Sequence, residues 1–108
     1  MKSSENYKLV LVTCANLIQA KLIARSVVEK RLAACASILR SSIDSHYRWN
    51  GKVEKSRELL LLIKTTTRRL GALEREVKRL HSYDVPEFIA LPIVAGSKAY
   101  LDWLDENT

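Results

Sequence analysis

The apolar positions of the chain fall into strand-like runs and helix-like stripes that alternate along its length. Lys8-Leu9-Val10-Leu11-Val12-Thr13 is short and nearly continuous in apolar character, the pattern of a buried strand. Ile18, Leu22, Ile23, Val27 and Leu32 then recur at helical spacing with Lys21, Arg25 and Glu29 between them, which predicts a helix from Leu17 to about Lys30. Asn16 is a good N-cap for it, and Gln19 three residues on predicts a capping box. A second strand is predicted from Cys35 through Ile43, His46 and Tyr47 to Trp49. Asn50-Gly51 follows, and both residues tolerate the positive φ that a type I′ turn requires. The flanks should therefore pair as an antiparallel hairpin whose return strand runs from Lys52 to about Thr66. Each arm is roughly 45 Å long at the usual strand rise. The polar outer part, around Ser41 to Lys55, should protrude beyond the core.

Thr67 is placed to cap a second helix, in which Leu70, Leu73, Val77 and Leu80 recur at three- and four-residue spacing and Glu74–Lys78 makes an i,i+4 ion pair. A polar turn follows, and then a fourth strand from Glu87 to Val94. Pro92 lacks an N–H to give to a sheet, so this strand should lie at an edge. Gly96-Ser97 should break the chain and cap a short C-terminal helix carrying Tyr100, Leu101, Trp103 and Leu104. Residues 1–7 read as a flexible tail and 8–108 as one domain. The order β-α-β-β-α-β predicts an α+β, ferredoxin-like fold: an antiparallel sheet with helices on one face, an additional C-terminal helix and a long protruding hairpin.

The strands add a second expectation. A sheet with helices on one face normally alternates apolar and polar residues. Leu59-Leu60-Leu61-Leu62-Ile63 does not, nor do Leu9-Val10-Leu11-Val12 and Phe88-Ile89-Ala90-Leu91. Each such side chain left in water forgoes about 1.5–3 kcal/mol. The second face is therefore expected to be covered by copies of the same chain, with the hairpin reaching onto a neighbour.

Composition narrows the function classes. Lys and Arg outnumber Asp and Glu by 18 to 12, for a net charge of +6, but they are dispersed along the chain as on a solvated surface. RNA reading on this fold needs aromatic side chains on the central strands, and Leu59 to Ile63 supplies none, so nucleic acid is not expected as a partner. Two cysteines with no CxxC spacing make neither a disulfide framework nor a zinc pair. No apolar run is long enough to span a bilayer and no signal peptide is evident, so a reduced, cytoplasmic protein with no membrane partner is expected. Catalysis is not expected either. There is no Ser/His/Asp set and no glycine-rich phosphate loop, with only three glycines in the chain.

Candidate chemistry concentrates at His81-Ser82-Tyr83-Asp84-Val85-Pro86-Glu87, between the second helix and the last strand. Titratable side chains on a loop fixed by packed elements often line a site. The same residues also serve as a helix stop, because Val85 precedes Pro86 and is pushed to an extended conformation. Lys64, if it meets this turn, would form a small polar pocket for an anionic ligand with Tyr83 and Glu87, or else an ion pair with Glu87. Trp49 has two readings, as hairpin packing and as the aromatic wall of an inter-subunit cleft. His46 is expected to be exposed or at a subunit contact, and Cys35 to be a small core hydrophobe.

The segments LVTCAN, EKRLAACASI, SHYRWNGKV, ELLLLIKTT, HSYDVPE and YLDWL, in this order across residues 8–104, resemble the CutA family of divalent-cation tolerance proteins. The resemblance implies a ferredoxin-like homotrimer with sheets packed about a threefold axis, in the cytoplasm, tied to copper tolerance and copper binding. It also implies shared architecture with trimeric nitrogen-regulatory signal proteins. In members credited with copper binding, the ligands are a cysteine at the end of the first strand and two adjacent histidines at the turn. His81 matches the first histidine, and Ser82 stands at the second. The cysteine position falls at Val12, with Cys14 two residues on. The implied ligands for copper or another divalent cation are therefore His81 and Cys14. The alternative is a non-enzymatic signalling or scaffold trimer that binds a small ligand or a protein in an inter-subunit cleft lined by Trp49, Lys64, Tyr83 and Glu87.

Overall fold

The central strand pair decides the architecture. The computed structural model describes residues 1–108. Its elements are β1 (Lys2–Ser3), β2 (Tyr7–Cys14), α1 (Leu17–Glu29), β3 (Cys35–Trp49), β4 (Lys52–Thr66), α2 (Leu70–Leu80), β5 (Ile89–Pro92), β6 (Ala95–Gly96) and α3 (Lys98–Glu106), with a single 3-10 turn at Thr67–Arg69 before α2. The main sheet has the order β3-β4-β2-β5, with β4 and β2 in the middle. All its neighbours are antiparallel. This is the ferredoxin-like α+β arrangement the sequence predicts, with β5 and its Pro92 at an edge.

Parity along the strands assigns the two faces. Val10 pairs with Ile63, Val12 with Leu61 and Cys14 with Leu59, and all six are buried against α1 and α2 with Ile23, Val27, Leu73 and Val77. The opposite face carries Leu9, Leu11, Leu60 and Leu62, flanked by Leu39 on β3 and by Ile89 and Leu91 on β5. Leu39 and Ile89 are 47% exposed and Leu91 41%. One end of this open face is covered: Leu101 and Leu104 of α3 pack with Tyr7 and Ala34. The rest of the face has no cover from its own chain.

The hairpin matches its predicted bounds, and Asn50 (φ 50°) and Gly51 (φ 76°) both take the positive φ of the expected turn. One feature is unforeseen. Leu39 pairs with Leu60 but Ile43 with Glu58, so β3 carries two extra residues over that step. An even insertion preserves parity, and Ser45, Tyr47 and Trp49 stay on the open face beside Glu58. A one-residue bulge would have turned them away from it.

Three expectations need correction. Residues 1–7 do not form a free tail: β1 pairs with β6, Lys2 bridges to Asp102 (2.9 Å) and Asp105 (3.3 Å) on α3, and Tyr7 is buried and hydrogen-bonded to Asp105. Two-residue strands carry no periodicity to read. Thr67 does not cap α2; its hydroxyl donates to the Glu5 carbonyl (3.0 Å), tying down the same N-terminal segment. Cys35 is only partly buried, on the open face between Ser37 and Lys64.

One buried carboxylate bridges α1 and α2. Glu76, 8% exposed, accepts from Ser26 (2.6 Å) and Lys30 (2.8 Å) on and just after α1, and from Arg79 (2.8 and 2.9 Å) on α2. The hydrogen bonds from Arg79, Lys30 and Ser26 hold its carboxyl well below the usual carboxylate range. Replacing Glu76 by alanine should cost about 1.5–3 kcal/mol at neutral pH, read from the midpoint of denaturant unfolding. A carboxyl depressed in the folded state stabilises above its unfolded pKa and loses that effect as pH falls through the folded one. The gap between wild type and Glu76→Ala should therefore close in acid. Equal stabilities at neutral pH would contradict this reading.

Candidate functional site

The end of the open face away from α3 holds a cleft of about 600 Å³. β4 supplies Glu58, β2 supplies Thr13, the outer hairpin supplies Ser45, His46, Tyr47 and Trp49, and the turn supplies Tyr83, Asp84, Val85, Pro86 and Glu87. Of Trp49, Lys64, Tyr83 and Glu87, expected from the sequence to line an inter-subunit cleft, Trp49, Tyr83 and Glu87 line this cleft of the single chain.

Local structure fixes the turn. α2 stops at Leu80, and His81 leaves the helix in extended conformation (φ −76°, ψ 142°). The Nε2 of His81 lies 2.8 Å from the Thr13 carbonyl, and its Nδ1 accepts from the Tyr83 backbone N–H (3.1 Å). This network assigns the Nε2–H tautomer, donating to Thr13. Gln19 ties the turn from the other side. Asn16 caps α1 by accepting from the Gln19 N–H, but the Gln19 side chain does not close a capping box. It donates to the Leu80 carbonyl (3.1 Å) and accepts from the Ser82 N–H (3.1 Å) and hydroxyl (2.6 Å). Ser82, at the second histidine position of the family pattern, is thus a strut between α1 and the turn.

Tyr83 packs against His81 with the rings tilted by 45° and their centroids 4.6 Å apart, and its phenol donates to Glu58 (2.9 Å). Burial and the bond to the Glu58 carboxylate hold the phenol well above its usual range. Glu58 itself is only 7% exposed. Burial, followed by the charge of Glu58, pushes the Glu87 carboxyl up. On the hairpin, Ser56 donates to the Tyr47 hydroxyl (3.2 Å).

Two predicted residues do not join the cleft. Lys64 lies six positions further along β4 than Glu58, roughly 20 Å away at the strand rise. Its ammonium instead sits 3.9 Å from the Cys35 sulfur and 5.8 Å from the centre of the Tyr100 ring. Neither the anion pocket nor the Lys64–Glu87 pair expected from the sequence forms. Cys14 shares the face of Val12, but that is the helix-covered face; it is fully buried in the core, and desolvation pushes its thiol up to about 11. A metal held by His81 and Cys14 does not fit these residues. Both imidazole nitrogens are engaged in hydrogen bonds, the thiol is enclosed in the helix-side core, and no three His, Cys, Asp or Glu side chains converge.

Glu58 is the site residue sequence reasoning missed. The available signal was parity: Glu58 is in phase with Leu60 and Leu62, at the end of the apolar band of the open face, where a buried carboxylate needs a dedicated donor.

Fold and site together define a ferredoxin-like domain with a long hairpin and a polar cleft at the mouth of its last strand. Residues 8–107 match the family described as CutA1 divalent ion tolerance protein, and the chain belongs to that family. It is 50% identical to the divalent-cation tolerance protein CutA of Thermus thermophilus over 94% of this chain and 97% of that one. The solved structure of the divalent cation tolerance protein from Thermus thermophilus superposes with a TM-score of 0.92, covering 94% and 98% of the two chains. The crystal structure of CutA1 from Oryza sativa superposes at 0.92 with 44% identity, over 99% and 97%. The structure described as the periplasmic divalent cation tolerance protein CutA from Archaeoglobus fulgidus does so at 0.90 with 38% identity, over 94% and 97%. No helix of this chain is long and apolar enough to cross a membrane.

Two outcomes test the site. Tyr83→Phe removes the donor from a buried carboxylate and should cost about 1–3 kcal/mol of stability at neutral pH. Glu87→Gln should act in the opposite sense. A carboxyl raised in the folded state stabilises below its unfolded pKa and loses that contribution as pH rises through the folded one. The variant should therefore melt slightly higher than wild type at pH 7 and show no advantage in acid. A lower melting temperature at pH 7 would contradict the assigned desolvation and repulsion.

Proposed function

We propose that this chain serves divalent-cation tolerance as a non-enzymatic homotrimer, and that the cleft at the hairpin end of the sheet binds the ligand to which it responds. The observation that carries the reading is Glu58. Its side chain is more than nine-tenths buried, takes a hydrogen bond from Tyr83, and forms the floor of an open cleft. Holding a carboxylate there costs desolvation energy that packing alone does not repay. The bare band of Leu39, Leu60, Leu62, Ile89 and Leu91 beside the cleft supports self-association, and copies packed there would bring a second chain to its rim. Two unpaired cysteines, one of them in the core, favour a reducing, cytoplasmic setting.

The alternative is a copper or other divalent ion held directly at the His81 turn. It requires the imidazole to give up its bond to Thr13 or to Tyr83. Titration of copper into wild type and His81→Ala under reducing conditions separates the two readings. Superimposable isotherms are expected; loss of a stoichiometric site in the variant would overturn the cleft reading in favour of the turn. Sedimentation equilibrium at low micromolar concentration should give the mass of three chains, and a stable monomer would contradict the proposed assembly.

A further inference from the structure

We propose that the ligand of this cleft is an organic cation, a primary ammonium or guanidinium on a short apolar or aromatic body. The inference rests on the cleft being the working site and adds the chemistry of its occupant.

The first observation is unbalanced charge. Glu58, Asp84 and Glu87 line one cleft, yet none of the eight ion pairs in the molecule includes any of them. The chain carries 18 Lys and Arg against 12 Asp and Glu, so cations are not scarce. Glu76, equally buried, shows what compensation looks like here, with bonds from Ser26, Lys30 and Arg79. Glu58 receives one neutral donor, Tyr83, on its Oε2, and its Oε1 has no bond within the chain and is not sealed from the cleft. A nine-tenths-buried carboxylate with one oxygen unbonded at an open cleft is set up for a donor from outside.

The second observation is the shape of the donor set. Although His46, Glu58, Asp84 and Glu87 share the cleft, no three of them converge as metal ligands. A bare divalent ion needs several ligands at about 2–2.6 Å, whereas an extended cation needs one charged terminus and a wall for its body. The hairpin provides the wall: Trp49 is 45% exposed and Tyr47 44%, and Val85 and Pro86 of the turn line the same cleft. Aromatic faces attract cations within about 6 Å of the ring centre. The volume of about 600 Å³ accommodates a small organic molecule. The carboxyl of Glu87, raised first by burial and second by the charge of Glu58, agrees with this, because a bound cation would offset both.

The test uses the full-length assembled protein and three probes sharing one body: 2-phenylethylammonium, neutral 2-phenylethanol and anionic 3-phenylpropionate, titrated calorimetrically at neutral pH. The ammonium should bind at least tenfold more tightly than either control. Glu58→Gln, which keeps an acceptor for Tyr83, should abolish that preference, and Trp49→Ala at the exposed lip should weaken ammonium binding several-fold without lowering stability. Equal or tighter binding of the neutral or anionic probe, lost in Trp49→Ala, would overturn the charge assignment and leave the cleft reading standing. No binding by any of the three would overturn both. An ammonium preference that survives Glu58→Gln would place the cation elsewhere and overturn the proposal.

Discussion

The structure depends on a central strand that is apolar on both sides. Leu59, Leu61 and Ile63 point into the helix layer, while Leu60 and Leu62 point the other way. One helix layer satisfies half of that run. On the other face α3 covers only the end near Tyr7, leaving an apolar band in the middle and a polar cleft at the hairpin end. On this face β4 changes from polar to apolar between Glu58 and Leu60, which sets the bare band beside the cleft. It also ties assembly to function, because whatever covers the band stands next to the cleft.

Two buried glutamates show how differently the fold treats the same charge. Glu76 is fully compensated by its own chain and serves as a strut between α1 and α2. Glu58 is held by a single tyrosine, whose position depends in turn on His81 and, through the turn, on Gln19 and Ser82. The residues that the family pattern suggests for metal binding are here parts of that support. His81 joins Thr13 to Tyr83, and Ser82 joins the turn to α1. Their contribution to the site is to position Tyr83.

Much of the fold was legible because its signals are local. Asn50-Gly51 and the continuous run of β4 gave the hairpin bounds directly, the proline in β5 gave its edge placement though not its Ile89–Pro92 bounds, and Asn16 and Ser97 both cap the helices they precede. The errors share one cause, which is that facing and register are not local. Lys64 and Glu58 are equally polar neighbours of the apolar run, and only the pairing of β4 with β3 and β2 shows that one reaches the cleft and the other reaches Tyr100. Cys14 has the right parity relative to Val12, but parity does not say which face the helices take. The two-residue insertion in β3 and the two-residue strand β1 carry no sequence signature of their own. Both emerge from tertiary pairing.

In the proposed assembly the face bearing Leu39, Ile89 and Leu91 is covered by other copies while the cleft beside it stays open. Hydroxyl-radical footprinting read by mass spectrometry tests both halves at once. Ile89 and Leu91, 47% and 41% exposed in the single chain, should be protected as strongly as core residues, while Trp49 and Val85 at the cleft and Ile18 on α1 remain labelled. Labelling of Ile89 and Leu91 in proportion to those exposures would contradict the account.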